Sequence, residues 1–224
     1  MFQYLSDNFT RLLTLTLGHL LLSLVALVIS VLIGVSIGAY VGHLHKYSFL
    51  AINLGNVLRA LPTLALIAVM IALIGFGFVN ITIALVVLAL PLILTNAYTA
   101  VAGVDRGMVE AARGMGMTDS QILFRVELPN AIPLIMTGVR TAWVYTVATA
   151  YLAIFAGYAT RPGQIGTLGD IIGNPSGEST PGILVAAAFA IVLAFVGAGL
   201  LSLAERAVTP AGIKLARSAA MAPA

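Results

Sequence analysis

The chain contains no cysteine, which excludes disulfide bonds, thiolate catalysis and zinc–thiolate sites. Charge is also scarce, because Asp, Glu, Lys and Arg together make up 8% of the 224 residues, against about 25% in a typical soluble domain. Hydrophobic residues make up 60% of the chain. A soluble fold must present many of its residues to water, so this composition excludes a soluble enzyme, a disordered chain and a secreted disulfide scaffold. It indicates a polytopic helical membrane protein.

The charged residues divide the chain into apolar intervals. Four intervals contain no Asp, Glu, Lys or Arg: Leu12–His45, Ala60–Val104, Thr141–Thr160 and Ser179–Ala204. The second has 45 residues, too many for one span of roughly 20, and the Gly-rich run 75–80 marks a turn inside it. The apolar runs are continuous and do not alternate as barrel strands do. The prediction is an all-α transmembrane bundle, a single domain over 1–224, with spans at about 16–42, 52–74, 79–100, 133–158 and 182–204.

The basic residues predict the orientation of these spans. The first basic residue is Arg11, and the apolar stretch after it is about twice the 7–15 residues of a signal peptide, so it is a retained first helix. Alternate connections then hold unequal numbers of Lys and Arg, seven on one side and two on the other. Basic loops stay in the cytoplasm, which puts the N-terminus outside, the C-terminus inside and the loop 162–182 outside. The net charge of +3 reports these loops, and no nucleic-acid partner is expected.

The segment 102–129 is too long and too charged for a simple connection. Apolar residues recur in it at the spacing of an amphipathic helix: Met108, Ala111, Ala112 and Met115. The run 114–116 (Gly-Met-Gly) should break that helix, and Thr118 or Asp119 can cap a second short helix that Pro129 ends. Two short helices outside the membrane predict a surface that docks against a partner.

The residues of this segment resemble the EAA loop of ABC importer permeases. Glu110-Ala111-Ala112 is followed after three residues by Gly116, and after nine more by Val126-Glu127-Leu128-Pro129, where only Val126 replaces the usual Ile. The resemblance covers roughly 15–204. We call 102–129 the EAA loop.

In that family the loop is a coupling helix that sits in a cleft of the ATP-binding subunit. The resemblance therefore implies a coupling role for six residues: Glu110, Ala111, Ala112, Gly116, Leu128 and Pro129. It implies three partners, namely an ATP-binding cassette subunit, a second permease chain that is identical or paralogous, and an extracytoplasmic substrate-binding protein, all at a bacterial cytoplasmic membrane.

The flanks of the motif are similar to the osmoprotectant branch of the family, which imports glycine betaine, choline, carnitine or proline betaine. The similar stretches are 110–118, 126–142, 59–66 and 148–150. One departure is the run 157–166, where the family often has a glycine-rich sequence. The methionine importers share the five-helix plan and remain an alternative with poorer flank agreement.

No phosphate-binding motif occurs, because neither lysine of the chain stands in a G-x-x-x-x-G-K-[ST] context. The chain is therefore expected to be a transport subunit without enzymatic activity and without a cofactor of its own. ATP and Mg²⁺ would be bound by the partner ATPase. No catalytic residue or metal site is predicted.

Several other residues admit two interpretations. Gly34, Gly38 and Gly42 repeat at the G-x-x-x-G spacing and predict close helix packing. Arg140 is expected at the membrane boundary, with a structural or coupling ion pair as the alternative. The residues His43 and His45 indicate a polar loop at the membrane rather than a metal site. Three other features have open roles: Pro62 and Pro91 as kinks, and the pair Trp143 and Tyr145 as packing or as a pathway surface with cation–π capacity.

Two other classes of protein fit less well. A secondary transporter or channel should show ionisable residues within its spans and an internal repeat, and it would leave 102–129 without a purpose. An intramembrane enzyme needs a nucleophile–base pair or a metal site, and the sequence offers no acceptable set.

Overall fold

The computed structural model describes residues 1–45, 49, 53, 55, 57, 60–157, 166–210 and 212. Within that part of the chain all regular structure is helical, as predicted. The α-helices are α1 (Phe2–Asp7), α2 (Phe9–Leu44), α3 (Thr63–Ile74), α4 (Phe78–Ala102), α5 (Arg106–Gly114), α6 (Asp119–Ile122), α7 (Leu128–Thr149), α8 (Gly169–Ile172) and α9 (Thr180–Val208). A π-helical turn, Leu123–Glu127, joins α6 to α7, and a 3-10 turn, Ala150–Ile154, continues α7.

In the described part of the chain, four helical runs are long and apolar enough to cross a membrane: α2, α4, the continuous run Asp119–Ile154 and α9. They overlap four of the five predicted spans. The first begins earlier than predicted, at Phe9 rather than near 16, so Arg11 lies within the helix.

The second predicted span, 52–74, falls partly outside the described residues. Its described helix, α3, has 12 residues, or about 18 Å at 1.5 Å per residue. Pro62 was predicted to be a kink inside a helix, and this is wrong. Its backbone is extended (φ −62°, ψ 124°), and α3 begins after it. A proline disfavours α geometry in the residue before it, which explains the interruption at Leu61.

The turn predicted near 75–80 separates α3 from α4. Gly75 and Gly77 have φ values of 80° and 125°, a region that glycine enters without steric cost. The side-chain amide of Asn80 donates to the Gly75 carbonyl at 2.7 Å, which fixes the turn against the first turn of α4.

Glycines on α2 bring it into direct contact with α4. A Cβ on Gly38 would lie 2.6 Å from the Leu94 carbonyl oxygen, and one on Gly42 would lie 2.9 Å from the Tyr98 carbonyl oxygen. A Cβ on Gly34 would lie 3.0 Å from Cγ2 of Ile93. The two backbones approach this closely only because the α2 residues have no side chain.

Trp143 joins α7 to α9. Its indole Nε1–H donates to the Ala194 carbonyl at 3.0 Å, and its ring occupies the space where a Gly197 Cβ would stand, 2.2 Å away. Trp143 is 3% exposed. Of the two roles considered for Trp143, packing between helices is therefore the one that the structure shows.

The end of the bundle opposite the EAA loop is closed by α1 and α8. Glu178 accepts hydrogen bonds from Arg11 at 2.5 Å and from the Tyr4 hydroxyl at 3.2 Å, which holds α1 beside the start of α9. Leu168 and Ile171 are fully buried against α2 and α9. Part of the loop predicted at 162–182 is thus packed into the bundle.

Candidate functional site

The first helix of the EAA loop, α5, is anchored to the bundle by one face. Asp105 caps it by accepting a hydrogen bond from the Met108 N–H at 3.0 Å. Glu110 and Ala111 are exposed, whereas Ala112 is 2% exposed. The predicted docking face of Glu110, Ala111 and Ala112 is therefore wrong for Ala112, because a helix turns by about 100° per residue and carries this side chain into the chain's own core.

Gly116 ends α5 in a Schellman motif. The Gly116 N–H donates to the Arg113 carbonyl at 3.0 Å, and the Met117 N–H donates to the Ala112 carbonyl at 3.2 Å. Gly116 has φ +83°, with open space around the position of a Cβ. These two bonds and the left-handed residue are the defining features of that cap. The spacing between Ala112 and Gly116 in the motif is thus a helix-ending signal.

Thr118 begins α6 with a capping box. The Gln121 N–H donates to the Thr118 hydroxyl at 3.3 Å, and the Thr118 N–H donates to the Gln121 side-chain oxygen at 2.9 Å. Of the two caps that the sequence allows, Thr118 is the one used. Arg113 and Asp119 also pair across the turn at 3.0 Å, but both are exposed, and such a pair contributes about 1 kcal/mol or less.

The π-helical turn carries the second helix of the EAA loop directly into α7. The Leu128 N–H donates to the Leu123 carbonyl, five residues back. The prediction that Pro129 ends the helix is wrong, since α7 runs through it from Leu128. A proline in a regular helix loses one hydrogen bond and crowds the carbonyl four residues back; the wider π turn immediately before Pro129 gives the ring room.

Glu127 lies inside this turn and is almost completely buried, with 1% exposure. His43, in the last turn of α2, places its Nδ1 2.6 Å from Glu127 Oε2. An ionised carboxylate can only accept, so with Glu127 ionised it is Nδ1 that donates. The pair ties the end of α2 to the EAA loop. No motif or spacing predicted this contact, although an acidic residue in the otherwise apolar run 126–129 was an available signal.

A polar cavity of about 250 Å³ separates α5 from the ends of α2 and α4. Its lining includes six ionisable side chains: His43, His45, Arg106, Glu110, Arg113 and Glu127. The EAA loop therefore lies over a cavity lined by charged side chains rather than over a close-packed apolar surface. No set of three or more His, Cys, Asp or Glu residues able to hold a metal occurs in the described part of the chain.

Removal of His43 should destabilise the protein. In His43→Ala, Glu127 keeps its buried position and loses its partner, and the loss of one member of a buried pair costs about 3–5 kcal/mol. We expect lower membrane abundance and a lower melting temperature in detergent. The double variant His43→Leu/Glu127→Leu should recover much of the loss, since apolar residues can replace a buried pair.

His45→Asn is the control for this experiment. His45 is exposed and has φ 51°, a conformation that asparagine tolerates. Equal melting temperatures for His43→Ala and His45→Asn would contradict the role assigned to the buried pair.

Arg140 takes part in an ion pair, the alternative given for it above. Its Nη2 lies 3.2 Å from Glu205 Oε2, and its Nη1 donates to the Ser202 hydroxyl at 3.3 Å. These contacts join α7 to the last turns of α9. Arg59, which directly precedes the apolar interval Ala60–Val104, lies outside the described residues.

A known protein family and several known permeases match most of this chain. Residues 30–210 match the family described as binding-protein-dependent transport system inner membrane component. The choline transport system permease protein OpuBB of Bacillus subtilis is 36% identical over 95% of this chain and 95% of its own length. The carnitine transport permease protein OpuCB of Listeria monocytogenes is 35% identical over 96% of this chain and 95% of its own length.

Solved structures share the fold. An inward-facing structure of the MetNI methionine ABC transporter gives a TM-score of 0.76 at 21% identity, and covers 91% of this chain and 99% of the matched one. An amino acid ABC transporter solved with histidines gives a TM-score of 0.72 at 22% identity, over 92% and 98%. With the family match over most of the chain, the similar sequences show that this protein belongs to the inner membrane components of binding-protein-dependent transport systems.

Proposed function

We propose that the chain is the membrane permease of an ATP-driven importer for small quaternary-ammonium osmolytes, of the choline, carnitine or glycine betaine type. The observation that carries the proposal is the identity of 36% and 35% to permeases named for choline and carnitine transport, over at least 95% of this chain. The solved methionine and amino acid transporters are 21–22% identical and support the fold alone.

The arrangement of the EAA loop supports a division of labour between subunits. The helix α5 lies outside the long apolar helices, with Glu110 and Ala111 exposed and Ala112 packed against the bundle, and α6 begins the continuous run Asp119–Ile154. We infer that an ATPase subunit, which would bind ATP and Mg²⁺, docks on this exposed surface. A separate binding protein would deliver substrate to the opposite end, and a second permease chain would complete the pathway.

The same reasoning gives the orientation. The EAA loop carries Arg106, Arg113 and Arg125, and basic residues are retained in the cytoplasm. An ATPase also needs cytoplasmic ATP. We therefore infer that the EAA loop and the C-terminus are cytoplasmic and that α1, α8 and the N-terminus face outward.

Substrate identity is tested by uptake in osmotically stressed cells. Deletion of the gene should reduce uptake of labelled choline or glycine betaine, and a plasmid copy should restore it. Methionine uptake in the same strains is the control and should stay unchanged. A fall in methionine uptake with normal uptake of the quaternary ammonium compounds would contradict the proposal and favour the amino acid alternative.

A further inference from the structure

The long helices of the bundle differ in the chemistry of the faces they expose. Between 17 and 33 every exposed residue of α2 is apolar, and between 184 and 203 the same holds for α9. The exposed residues of α7 and the turn after it are mixed: Leu134, Thr137, Thr141, Val144, Tyr145, Ala148, Tyr151 and Phe155. The first two faces suit lipid tails, whereas the face on α7 carries hydroxyl groups along its length.

The centre of this α7 face lies at mid-depth of the bundle. Trp143 donates to the carbonyl of Ala194, which stands near the middle of α9 (Thr180–Val208). Tyr145, two residues further along, is therefore far from both ends of α9. The headgroup belt that usually accepts tyrosine hydroxyls lies at the membrane surfaces, so the belt does not account for Tyr145.

The hydroxyl groups on this face differ in whether they have a hydrogen-bond partner within the protein. Those of Thr137 and Thr141 donate to carbonyls one turn back, at 3.0 and 2.9 Å. Tyr145 and Tyr151 are 38% and 37% exposed, and neither hydroxyl is paired with another of the described residues. Lipid tails offer no partner, and an unsatisfied polar group in hydrocarbon is costly. The Tyr145 phenol, at mid-depth, needs water or a polar ligand.

The surface beside Tyr145 is recessed. An open depression of about 490 Å³ is lined by Arg140, Thr141, Val144, Tyr145 and Ala148. Arg140 borders it with its charge paired to Glu205, and the exposed lining of the depression is mainly apolar.

We propose that this face of α7, defined by Thr137, Thr141, Tyr145, Ala148 and Tyr151, is the wall that the chain contributes to an aqueous translocation pathway. The rings of Tyr145 and Tyr151 are its contacts for a quaternary ammonium group. A tyrosine ring attracts such a cation through its quadrupole, and the group has no hydrogen-bond donor that would require an acceptor. The contact with a quaternary ammonium group rests on the proposed function. The assignment of α7 as the pathway wall rests only on the polar groups that α7 exposes.

Single cysteines test the wall directly, because the native chain has none. Thr141→Cys and Tyr145→Cys lie on the proposed wall, and Val192→Cys and Phe195→Cys lie on the apolar face of α9. The probe is 2-(trimethylammonium)ethyl methanethiosulfonate, a charged quaternary ammonium reagent, applied to the assembled transporter in membranes. We expect it to label the α7 cysteines, to block transport in those variants and to be slowed by choline. The α9 cysteines should stay unlabelled.

Two outcomes would overturn the wall. Unlabelled α7 cysteines in a transporter that imports choline would mean that the face is dry, covered by a second chain or by lipid, while the proposed function would stand. Equal labelling of α7 and α9 would remove the distinction between the faces. Labelling of α7 in a complex that imports no quaternary ammonium compound would keep the wall and overturn the substrate.

The role of the rings has its own test. Tyr145→Phe keeps the ring and removes the hydroxyl, whereas Tyr145→Leu replaces the ring by a smaller apolar side chain. We expect Tyr145→Leu to raise the KM for choline by roughly two- to thirtyfold, the range that a cation–π contact supports, and Tyr145→Phe to stay near the parent. Equal KM values for the two variants would overturn the aromatic contact.

Discussion

The variant Gly116→Arg is expected to reach the membrane at near-normal levels and to abolish transport. A side chain at φ +83° strains the left-handed residue of the Schellman cap by about 1–2 kcal/mol, a small part of the stability of a folded domain. The space around a Gly116 Cβ is open within the chain, so the arginine projects away from the bundle. It would meet the ATPase that we propose to dock there.

Three measurements on Gly116→Arg separate folding from coupling: membrane abundance, co-purification of the ATPase and substrate uptake. Gly116→Asn is the matched control, because asparagine tolerates the left-handed region and adds little bulk. It should transport almost normally. Glu110→Ala should reduce uptake less than Gly116→Arg does, since an exposed ion pair contributes about 1 kcal/mol or less. Normal uptake in Gly116→Arg would contradict the docking role of the EAA loop.

The variant Gly38→Leu should have the opposite pattern, a loss of the protein itself. A Cβ at this position would stand 2.6 Å from the Leu94 carbonyl oxygen and 2.8 Å from the Ala97 Cβ. The first neighbour is backbone of α4 and cannot swing aside, so α2 and α4 must separate. Overpacking of this kind typically costs 1–3 kcal/mol or occasionally more, and a whole leucine side chain puts this case at about the upper end of that range.

Membrane abundance and detergent melting temperature check this prediction. The matched control is Gly199→Leu, because Gly199 lies on the exposed face of α9 and a Cβ there has no neighbour within 4 Å. We expect Gly199→Leu to accumulate normally and Gly38→Leu to be largely absent. Equal levels of the two proteins would show that the α2–α4 contact tolerates separation.

Local signals in the sequence were sufficient for much of the EAA loop. The glycine at 116 predicted the end of α5, and Thr118 or Asp119 predicted the start of α6, because both effects act within four residues of backbone. The turn at Gly75–Gly77 was predictable for the same reason. Each of these signals is a conformational or capping preference that does not depend on the rest of the fold.

Contacts between residues far apart in the sequence could not be predicted from such local signals. The π turn at Leu123–Glu127 makes Pro129 compatible with a continuing helix, and no local sequence pattern predicts such a turn. His43 and Glu127 are 84 positions apart, so only the packing of α2 against the EAA loop brings them together. Ala112 also faces inward because of that packing, whereas the motif alone presents it with Glu110 and Ala111.

The absence of a break between α6 and α7 has a mechanical consequence. The run Asp119–Ile154 has 36 residues, which is about 54 Å of helix at 1.5 Å per residue. A hinge at Pro129 would absorb a push on its outer arm, but a continuous rod acts as a lever. If the ATPase moves α6, the force arrives as torque on the whole of α7. Tyr145 and Tyr151 would move with the helix, so a displacement of its α6 end would also displace the proposed pathway wall.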